Sequence, residues 1–151
     1  MIIKEIDFIT IEDVWRNKLW PNRNSPIEPY SEMMFMHDTY NVTFANQPRT
    51  FLGGYINDKL IAVNSIHLAE KYLARSRGIW VDPNYRGKGY GIQLLRATSS
   101  KAKELSAEAI WSFPRKSSFA TYEKAGYTQM SSWLDHGEFG PNCYAICFLS
   151  K

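Results

Sequence analysis

Apolar and polar positions change their spacing along the chain, and each change indicates an element. Residues 2–9 (IIKEIDFI) mix β-branched and aromatic side chains and predict a first strand. A helix is predicted over residues 11–20, with Thr10 as its N-cap and Asp13 in the place of a capping-box acid. Pro21, in a segment rich in turn residues, predicts the end of that helix.

Residues 31–40 (SEMMFMHDTY) predict a second short helix, which Ser31 would cap. The methionines and aromatic residues of this segment suit core packing, which we favour, or a surface that contacts a ligand.

Three strands are predicted in the middle of the chain, over residues 51–56, 60–68 and 73–81. The turn-forming sequence Asn57-Asp58-Lys59 joins the first two of them. Such a short polar turn between two apolar segments predicts an antiparallel hairpin.

A longer helix is predicted directly after the segment RGKGYG at residues 86–91. Its apolar positions fall on roughly one face, at Ile92, Leu95, Ala102 and Leu105. A strand over residues 109–113 follows, and Pro114 ends it.

The last part of the chain predicts one short helix and two strands. The helix is predicted over residues 117–125, with Ser117 as cap and Gly126 as the C′ residue that stops it. Two more strands are predicted over residues 127–134 and 142–149. The order β α α β β β α β α β β predicts a mixed α/β sheet.

Composition places the chain among ordinary globular proteins. Its 151 residues suit one domain over residues 1–151, and 44% hydrophobic with 22% charged residues argues against disorder. The formal net charge of +3 is spread along the chain without a contiguous basic stripe, so we expect no nucleic-acid partner.

The two cysteines and the apolar segments bear on the compartment. Cys143 and Cys147 lie four residues apart in a strand-like segment, where they cannot bridge and are expected to be buried free thiols. No apolar segment approaches the roughly 20 residues of a membrane span, and the N-terminus lacks signal-peptide features. We therefore expect a cytoplasmic protein without a membrane partner.

The segment RGKGYG predicts an anion site. Glycines between a strand and a helix let the main chain approach a ligand, and the free N–H groups of the first helical turn point the same way. Arg86 and Lys88 would add charge-assisted contacts to a phosphate.

Two common phosphate loops do not fit this segment. No Ser or Thr follows Lys88, as a P-loop requires, and the glycine spacing from Gly87 to Gly91 differs from the dinucleotide-binding fingerprint.

The remaining pattern resembles a known family. Residues 81–91 (VDPNYRGKGYG) resemble the acyl-CoA pyrophosphate loop of the GNAT N-acetyltransferase superfamily, and residues 122–127 (YEKAGY) resemble a second motif of that family at the usual distance. The specific resemblance covers about residues 73–127, and the N-terminal part agrees only in its pattern of elements.

The resemblance implies a mixed, mostly antiparallel sheet of about seven strands flanked by about four helices, with a splay between strands 4 and 5. It also implies acetyl-CoA as co-substrate, with the backbone of Ile79 and Val81 pairing with the pantetheine arm. The residues expected to hold the pyrophosphate are Arg86, Gly87, Lys88, Gly89, Tyr90, Gly91 and Ile92. Arg115 stands where the family often has a cofactor-binding Asn, and we include it among the cofactor-binding residues.

By the same resemblance, Tyr122 is the proton donor to the departing CoA sulfur. The fourth-strand acid that often acts as general base is absent, because Arg75 and Arg77 occupy that stretch. His67, Glu70, Asp82 or ordered water remain open as proton acceptors. No metal site is expected.

The acceptor is left open at this point. In the family it contacts the segment between the first two helices and the loop before the last strand, which here contain Trp20, Glu28, Tyr30, Glu32, Phe35, His136, Glu138 and Phe139. Acids among aromatic residues suit a cationic amine, whereas Arg75 and Arg77 equally suit an acceptor with a carboxylate or phosphate.

The sequence therefore predicts an acetyl-CoA-dependent N-acetyltransferase that acts on a primary amine of a small molecule, peptide or protein by direct attack in a ternary complex. The alternative is a module of the same fold that binds acyl-CoA without turnover. A monomer and a homodimer are both left open.

Overall fold

The computed structural model describes residues 1–37, 39–135 and 140–150. Its strands are β1 (Ile2–Ile6), β2 (Arg49–Ile56), β3 (Lys59–Leu68), β4 (Leu73–Val81), β5 (Ala109–Ser112), β6 (Thr128–Gln129) and β7 (Ala145–Phe148). Its α-helices are α1 (Phe8–Val14), α2 (Tyr90–Glu104) and α3 (Phe119–Lys124). A π-helical turn (Trp15–Leu19) extends α1, and 3-10 turns occupy Val42–Asn46, Pro83–Tyr85 and Lys116–Ser118.

The strands form one sheet in the order β1-β2-β3-β4-β5-β7-β6. Every neighbouring pair is antiparallel except β4 and β5, which run parallel. The predicted mixed, mostly antiparallel α/β sheet is confirmed.

The predicted splay between strands 4 and 5 is confirmed as well. β4 pairs with β5 only where Leu73–Arg75 lies beside Ala109–Trp111. Beyond Arg75, β4 continues to Val81 in pairing with β3 alone. The far half of β4 therefore presents a free edge toward the gap between the two strands.

The β2–β3 hairpin forms where the sequence predicts it. Asn57 and Asp58 have φ angles of 49° and 65°, so both central residues of the turn are left-handed. Asn and Asp tolerate this conformation better than other non-glycine residues, and it matches the twist of the two strands.

Helix α1 begins earlier than predicted. Asp7 is its N-cap and accepts hydrogen bonds from Thr10 N at 2.9 Å and from Thr10 Oγ1 at 2.6 Å. The prediction of Thr10 as N-cap, and of a strand reaching residue 9, is therefore wrong. The carboxylate of Asp7 outcompetes the hydroxyl because it reaches two donors of the first turn at once.

The second predicted helix does not form in the described residues 31–37, 39 and 40. Met33 and Tyr40 instead form an isolated β-bridge, and Ser31 N donates to His67 Nε2 at 3.2 Å. This segment is folded by contacts with β3 rather than by its own periodicity.

Helix α2 covers one face of the sheet with Leu94, Leu95, Thr98 and Ala102 fully buried. Leu95 and Ala102 were predicted for this face, whereas Ile92 and Leu105 are only half-buried. Thr98 is accommodated because its Oγ1 accepts a hydrogen bond from Asn64 Nδ2 at 3.0 Å.

Helix α3 ends as predicted at a left-handed glycine. Gly126 has φ +100°, and the N–H groups of Gly126 and Tyr127 donate to Glu123 O and Tyr122 O, both at 3.1 Å. This pattern is a Schellman motif, and it fixes the start of the last turn of α3 at Tyr122. Ser117 does not cap the helix, because it lies inside the preceding 3-10 turn.

None of the helices among the described residues has both the length and the apolar character that crossing a membrane requires.

Candidate functional site

The free edge of β4 contains a bulge at Gly78, where the register with β3 shifts. This residue has φ +80°, and a Cβ there would lie 2.4 Å from Nε1 of the fully buried Trp15. Trp15 Nε1 also donates to Gly78 O at 2.8 Å. A glycine is therefore required here, both for the backbone conformation and for the close approach of the indole.

The backbone groups of Ile79 and Val81 face the splay. Asp82 N donates to Ile61 O on β3 at 2.7 Å, and the N–H and C=O groups of successive strand residues point to alternate sides. The two residues that the sequence predicts for pantetheine pairing therefore point their backbone groups toward the splay.

The loop before α2 is open and rich in donors. Gly87 and Gly89 have φ +77° and +85°, and no atom lies within 4 Å of a Cβ built on either. Gly89 is the N-cap of α2, and the first intrahelical hydrogen bond runs from Gln93 N to Gly89 O. The N–H groups of Tyr90, Gly91 and Ile92 therefore have no partner inside the helix and form a cradle that suits an anion.

A cleft of about 500 Å³ runs from this cradle along the splay. Arg86 lies at its rim, where Nε donates to Val81 O at 2.8 Å and ties the loop to the end of β4. The cleft is lined by every residue that the sequence predicts for the cofactor except Lys88, together with Tyr122. Lys88 is exposed, with its Nζ 5.7 Å from the centre of the Tyr85 ring.

A second cleft, of about 430 Å³, adjoins the first on the side of β5. Five described residues line both clefts, namely Leu19, Ile79, Arg115, Ser118 and Tyr122. The arrangement offers room for two ligands that meet beside Tyr122.

Tyr122 lies at this junction in a buried setting. Its side chain is 3% exposed, and its Oη lies 3.4 Å from Ser112 Oγ. Burial raises the pKa of Tyr122, while the contact with Ser112 and the charges of Arg75 and Arg115 lower it by less. The phenol is therefore protonated at neutral pH, with cations nearby that favour its anion.

Arg115 reaches the junction from the start of the 3-10 turn before α3. Its Nη2 donates to Leu19 O at 3.4 Å, and partial burial lowers the pKa of the guanidinium. Its position in the lining of both clefts suits a contact with either ligand.

The three candidate bases have structural contacts. Nε2 of His67 accepts from Ser31 N and Nδ1 donates to Leu68 O at 2.9 Å, while burial lowers its pKa to about 3. Glu70 Oε1 accepts from Phe35 N at 3.1 Å. None of the three lines either cleft.

Asp82 is the third of these candidates. Its Oδ1 accepts from Asn84 N at 2.9 Å, and Oδ2 lies 3.5 Å from Lys59 Nζ. The hydrogen bond from Asn84 N and the charge of Lys59 lower the pKa of Asp82 despite burial. It caps the turn after β4.

The residues expected to contact the acceptor are only partly in the second cleft. Trp20 lines it, whereas Glu28, Tyr30, Glu32 and Phe35 do not. His136, Glu138 and Phe139 lie outside the described residues. The lining contains instead two arginines of β4, Arg75 and Arg77, which the sequence offers as the alternative indicators of the acceptor.

The described residues contain no cluster of three or more His, Cys, Asp or Glu side chains that could hold a metal ion. The shape and donors of the first cleft fit a pyrophosphate joined to an extended arm, since the cradle is open at Gly87 and Gly89 and continues into the free edge of β4.

The chain matches the sequence model of the Acetyltransferase (GNAT) family over residues 13–127. No curated protein matches the chain by sequence similarity. Its fold is similar to an aminoglycoside 6'-N-acetyltransferase complexed with coenzyme A, with a TM-score of 0.71 and 14% identity over 100% of this chain and 98% of that chain.

Two further solved structures have the same fold. An acetyltransferase of the GNAT family from Staphylococcus aureus Mu50 has a TM-score of 0.68 and 15% identity, covering 99% of each chain. An acetyltransferase from Bacillus subtilis in complex with CoA has a TM-score of 0.58 and 19% identity, covering 68% of this chain and 78% of that chain.

Proposed function

The chain belongs to the acetyltransferase (GNAT) family, and we propose that it transfers an acetyl group from acetyl-CoA to a primary amine by direct attack in a ternary complex. The observation that carries the proposal is the junction of two clefts at Tyr122, one of which begins at the α2 cradle. The CoA complexes of similar structures support acetyl-CoA as the donor.

The cofactor would lie in the first cleft. The N–H groups of Tyr90, Gly91 and Ile92 would bind its pyrophosphate, helped by the positive end of the α2 dipole. The main chain of Ile79 and Val81 would pair with the pantetheine arm. When bound, acetyl-CoA supplies an activated acyl group as a thioester.

Tyr122 would donate its phenolic proton to the departing sulfur. The raised pKa keeps the proton on the phenol until it is needed, and Arg75 and Arg115 stabilise the phenolate that remains. The amine would approach from the second cleft, because Tyr122 and Ile79 line both clefts.

No carboxylate or imidazole is among the described residues that line the second cleft. The acceptor would therefore arrive as the free amine or lose its proton to water. The same observation favours the second candidate, a domain that binds acyl-CoA without turnover.

Chromatographic detection of free CoA from the full chain, acetyl-CoA and a panel of amines separates these two candidates. This detection avoids thiol reagents, which would also react with the partly exposed Cys147. Turnover with at least one amine is the expected result. Saturable binding of acetyl-CoA with no product from any amine would contradict the enzyme and favour the binding domain.

Tyr122→Phe tests the proton donor, and Tyr127→Phe is its matched control. The two rings pack edge to face at 5.2 Å, and the buried Tyr127 hydroxyl has no well-formed hydrogen bond within the described part of the chain. Loss of the donor is expected to lower kcat by about 100-fold or more, within the usual range for a general acid, while the control stays near wild type. Equal activity of the two variants would show that Tyr122 is not the proton donor.

A further inference from the structure

Two arginines, Arg75 and Arg77, lie two positions apart on β4 and have no acidic partner in the described part of the chain. Arg75 and Arg77 are each 7% exposed, and neither forms an ion pair with a carboxylate in residues 1–37, 39–135 and 140–150. Buried charges in proteins are normally paired. An unpaired pair of like charges in a cleft therefore points to a ligand.

The protein holds both guanidinium groups in place through aromatic rings. Arg75 stacks on Trp111 with 4.1 Å between its Cζ and the ring centre. Arg77 lies beside Trp15 and Trp20, with its Cζ 5.0 and 5.3 Å from the two ring centres. These contacts fix the orientation of the planar groups without neutralising their charge.

Hydrogen bonds use only part of each guanidinium. Arg75 Nε donates to Ser76 O at 3.0 Å and Nη1 contacts Met33 Sδ at 3.7 Å. Arg77 Nη1 donates to Glu28 O at 2.8 Å. Within the described residues, Nη2 of either arginine has no acceptor, and both side chains line the second cleft.

The surroundings of Arg75 and Arg77 do not neutralise their positive charges. Burial lowers the pKa of Arg75 to about 10, and burial with the charges of Arg75 and Arg23 lowers the pKa of Arg77 to about 9. The Glu28 carboxylate acts in the opposite direction on Arg77, but it is the weakest of these influences. Both groups are still cationic at neutral pH.

We propose that Arg75 and Arg77 form an oxyanion subsite in the second cleft, and that the acceptor is a small amine that carries a carboxylate or phosphate group. The identification of the bound molecule as the acceptor rests on the proposed acetyl transfer. The oxyanion subsite itself rests on the two arginines alone. Arg75 and Arg77 line the second cleft together with Tyr122, which also lines the first cleft, so the subsite is close to the junction of the clefts. The oxyanion and the attacking nitrogen are therefore expected to be only a few bonds apart.

The first experiment compares matched amines with the full chain and acetyl-CoA, by chromatographic detection of free CoA. Glycine is paired with methylamine, β-alanine with ethylamine, and phosphoethanolamine with ethanolamine. We expect kcat/KM to favour the oxyanion-bearing member of at least one pair by about 10-fold or more, the usual effect of charge-assisted hydrogen bonds. The pair with the largest ratio distinguishes a carboxylate acceptor from a phosphate acceptor.

Variants of Arg77 test the residue itself, because Arg75 also acts on Tyr122. Arg77→Met is expected to reduce the preference for the oxyanion-bearing amine by about 10-fold or more. Arg77→Lys keeps the charge but not the planar fork, and it is expected to restore part of the preference. Arg96→Met, at an exposed position of α2 outside both clefts, is the matched control and should keep it.

A binding arm separates failure of this inference from failure of the proposed function. Calorimetry measures N-acetylglycine, N-acetyl-β-alanine and N-acetylphosphoethanolamine against wild type and Arg77→Met, with melting curves to verify folding. Binding of at least one compound to wild type, weakened about 10-fold or more in the variant, supports the subsite even if no amine is acetylated. A panel in which no oxyanion binds at millimolar concentration, or in which the variant binds as well as wild type, would overturn it.

Discussion

Substitution of Gly89 by Asp or Asn tests the α2 cradle with two side chains of nearly equal size. Gly89 has φ +85°, a conformation that Asn and Asp tolerate, and a Cβ there meets no atom within 4 Å. Both variants should therefore fold. They differ by one negative charge at the helix N-cap, where a phosphate would bind.

The expected magnitudes follow from linkage and Coulomb's law. Acetyl-CoA at 100 times its Kd stabilises the folded state by about 2.7 kcal/mol, which raises Tm by about 5 to 10 °C for a domain of this size. A carboxylate about 5 Å from a phosphate charge repels it by about 3 kcal/mol at an effective dielectric constant of about 20. The Asp variant should then bind acetyl-CoA more than about 100-fold more weakly, so that the ligand raises its Tm by only about 1 °C or less.

Thermal denaturation with and without acetyl-CoA measures these shifts, on protein freed of copurified CoA. We expect a full shift in wild type, a reduced shift in Gly89→Asn and nearly none in Gly89→Asp. A shift in the Asp variant as large as in the Asn variant would refute the phosphate cradle. Absence of any shift in wild type at millimolar acetyl-CoA would refute the proposed function as well.

Two further predictions concern stability. Gly78→Ala should lower the free energy of unfolding by about 2 kcal/mol or more, because its Cβ would overlap the buried Trp15 indole. Gly87→Ala has open space around it and should lower the free energy of unfolding by only about 1 kcal/mol. Urea denaturation measures both values. His67 is neutral when folded, with a pKa lowered to about 3, so its stabilisation is complete above pH 6.5 and is lost as the pH falls toward 3. His67 should therefore make the free energy of unfolding roughly 2 kcal/mol lower at pH 5 than at pH 6.5. The His67→Gln variant should lack that part of the pH dependence in urea denaturation.

Features with a local cause could be predicted from the sequence. The Asn57-Asp58 turn and the Gly126 helix end depend on the backbone preferences of one or two residues, and both form where expected. The RGKGYG loop is also local, because its open backbone and free donors result from its own glycines and the helix that follows. This is why the predicted loop residues, except Lys88, line one cleft.

Features decided by distant contacts could not be predicted in this way. Residues 31–40 have the composition of a short helix, but the Ser31 amide donates to His67 on β3 and the Phe35 amide donates to Glu70, just beyond the end of β3. These hydrogen bonds join residues that are 36 and 35 positions apart in the chain. Local periodicity contains no information about them.

The second cleft depends on the same kind of distant contact. The sequence alone therefore could not decide which of its charged residues line that cleft. In the sequence, the acids around residues 28 and 32 compete with Arg75 and Arg77 as indicators of the acceptor. In the structure, the Glu28 main chain rather than its carboxylate contacts Arg77, and neither Glu28 nor Glu32 lines the cleft. The absence of an acid from β4 and the lack of a carboxylate partner for Arg75 and Arg77 among the described residues then have one explanation, because a carboxylate on this strand would neutralise the charges that an oxyanion-bearing acceptor requires. An enzyme of this kind would obtain selectivity for its acceptor from β4, the strand whose free edge also faces the cofactor cleft.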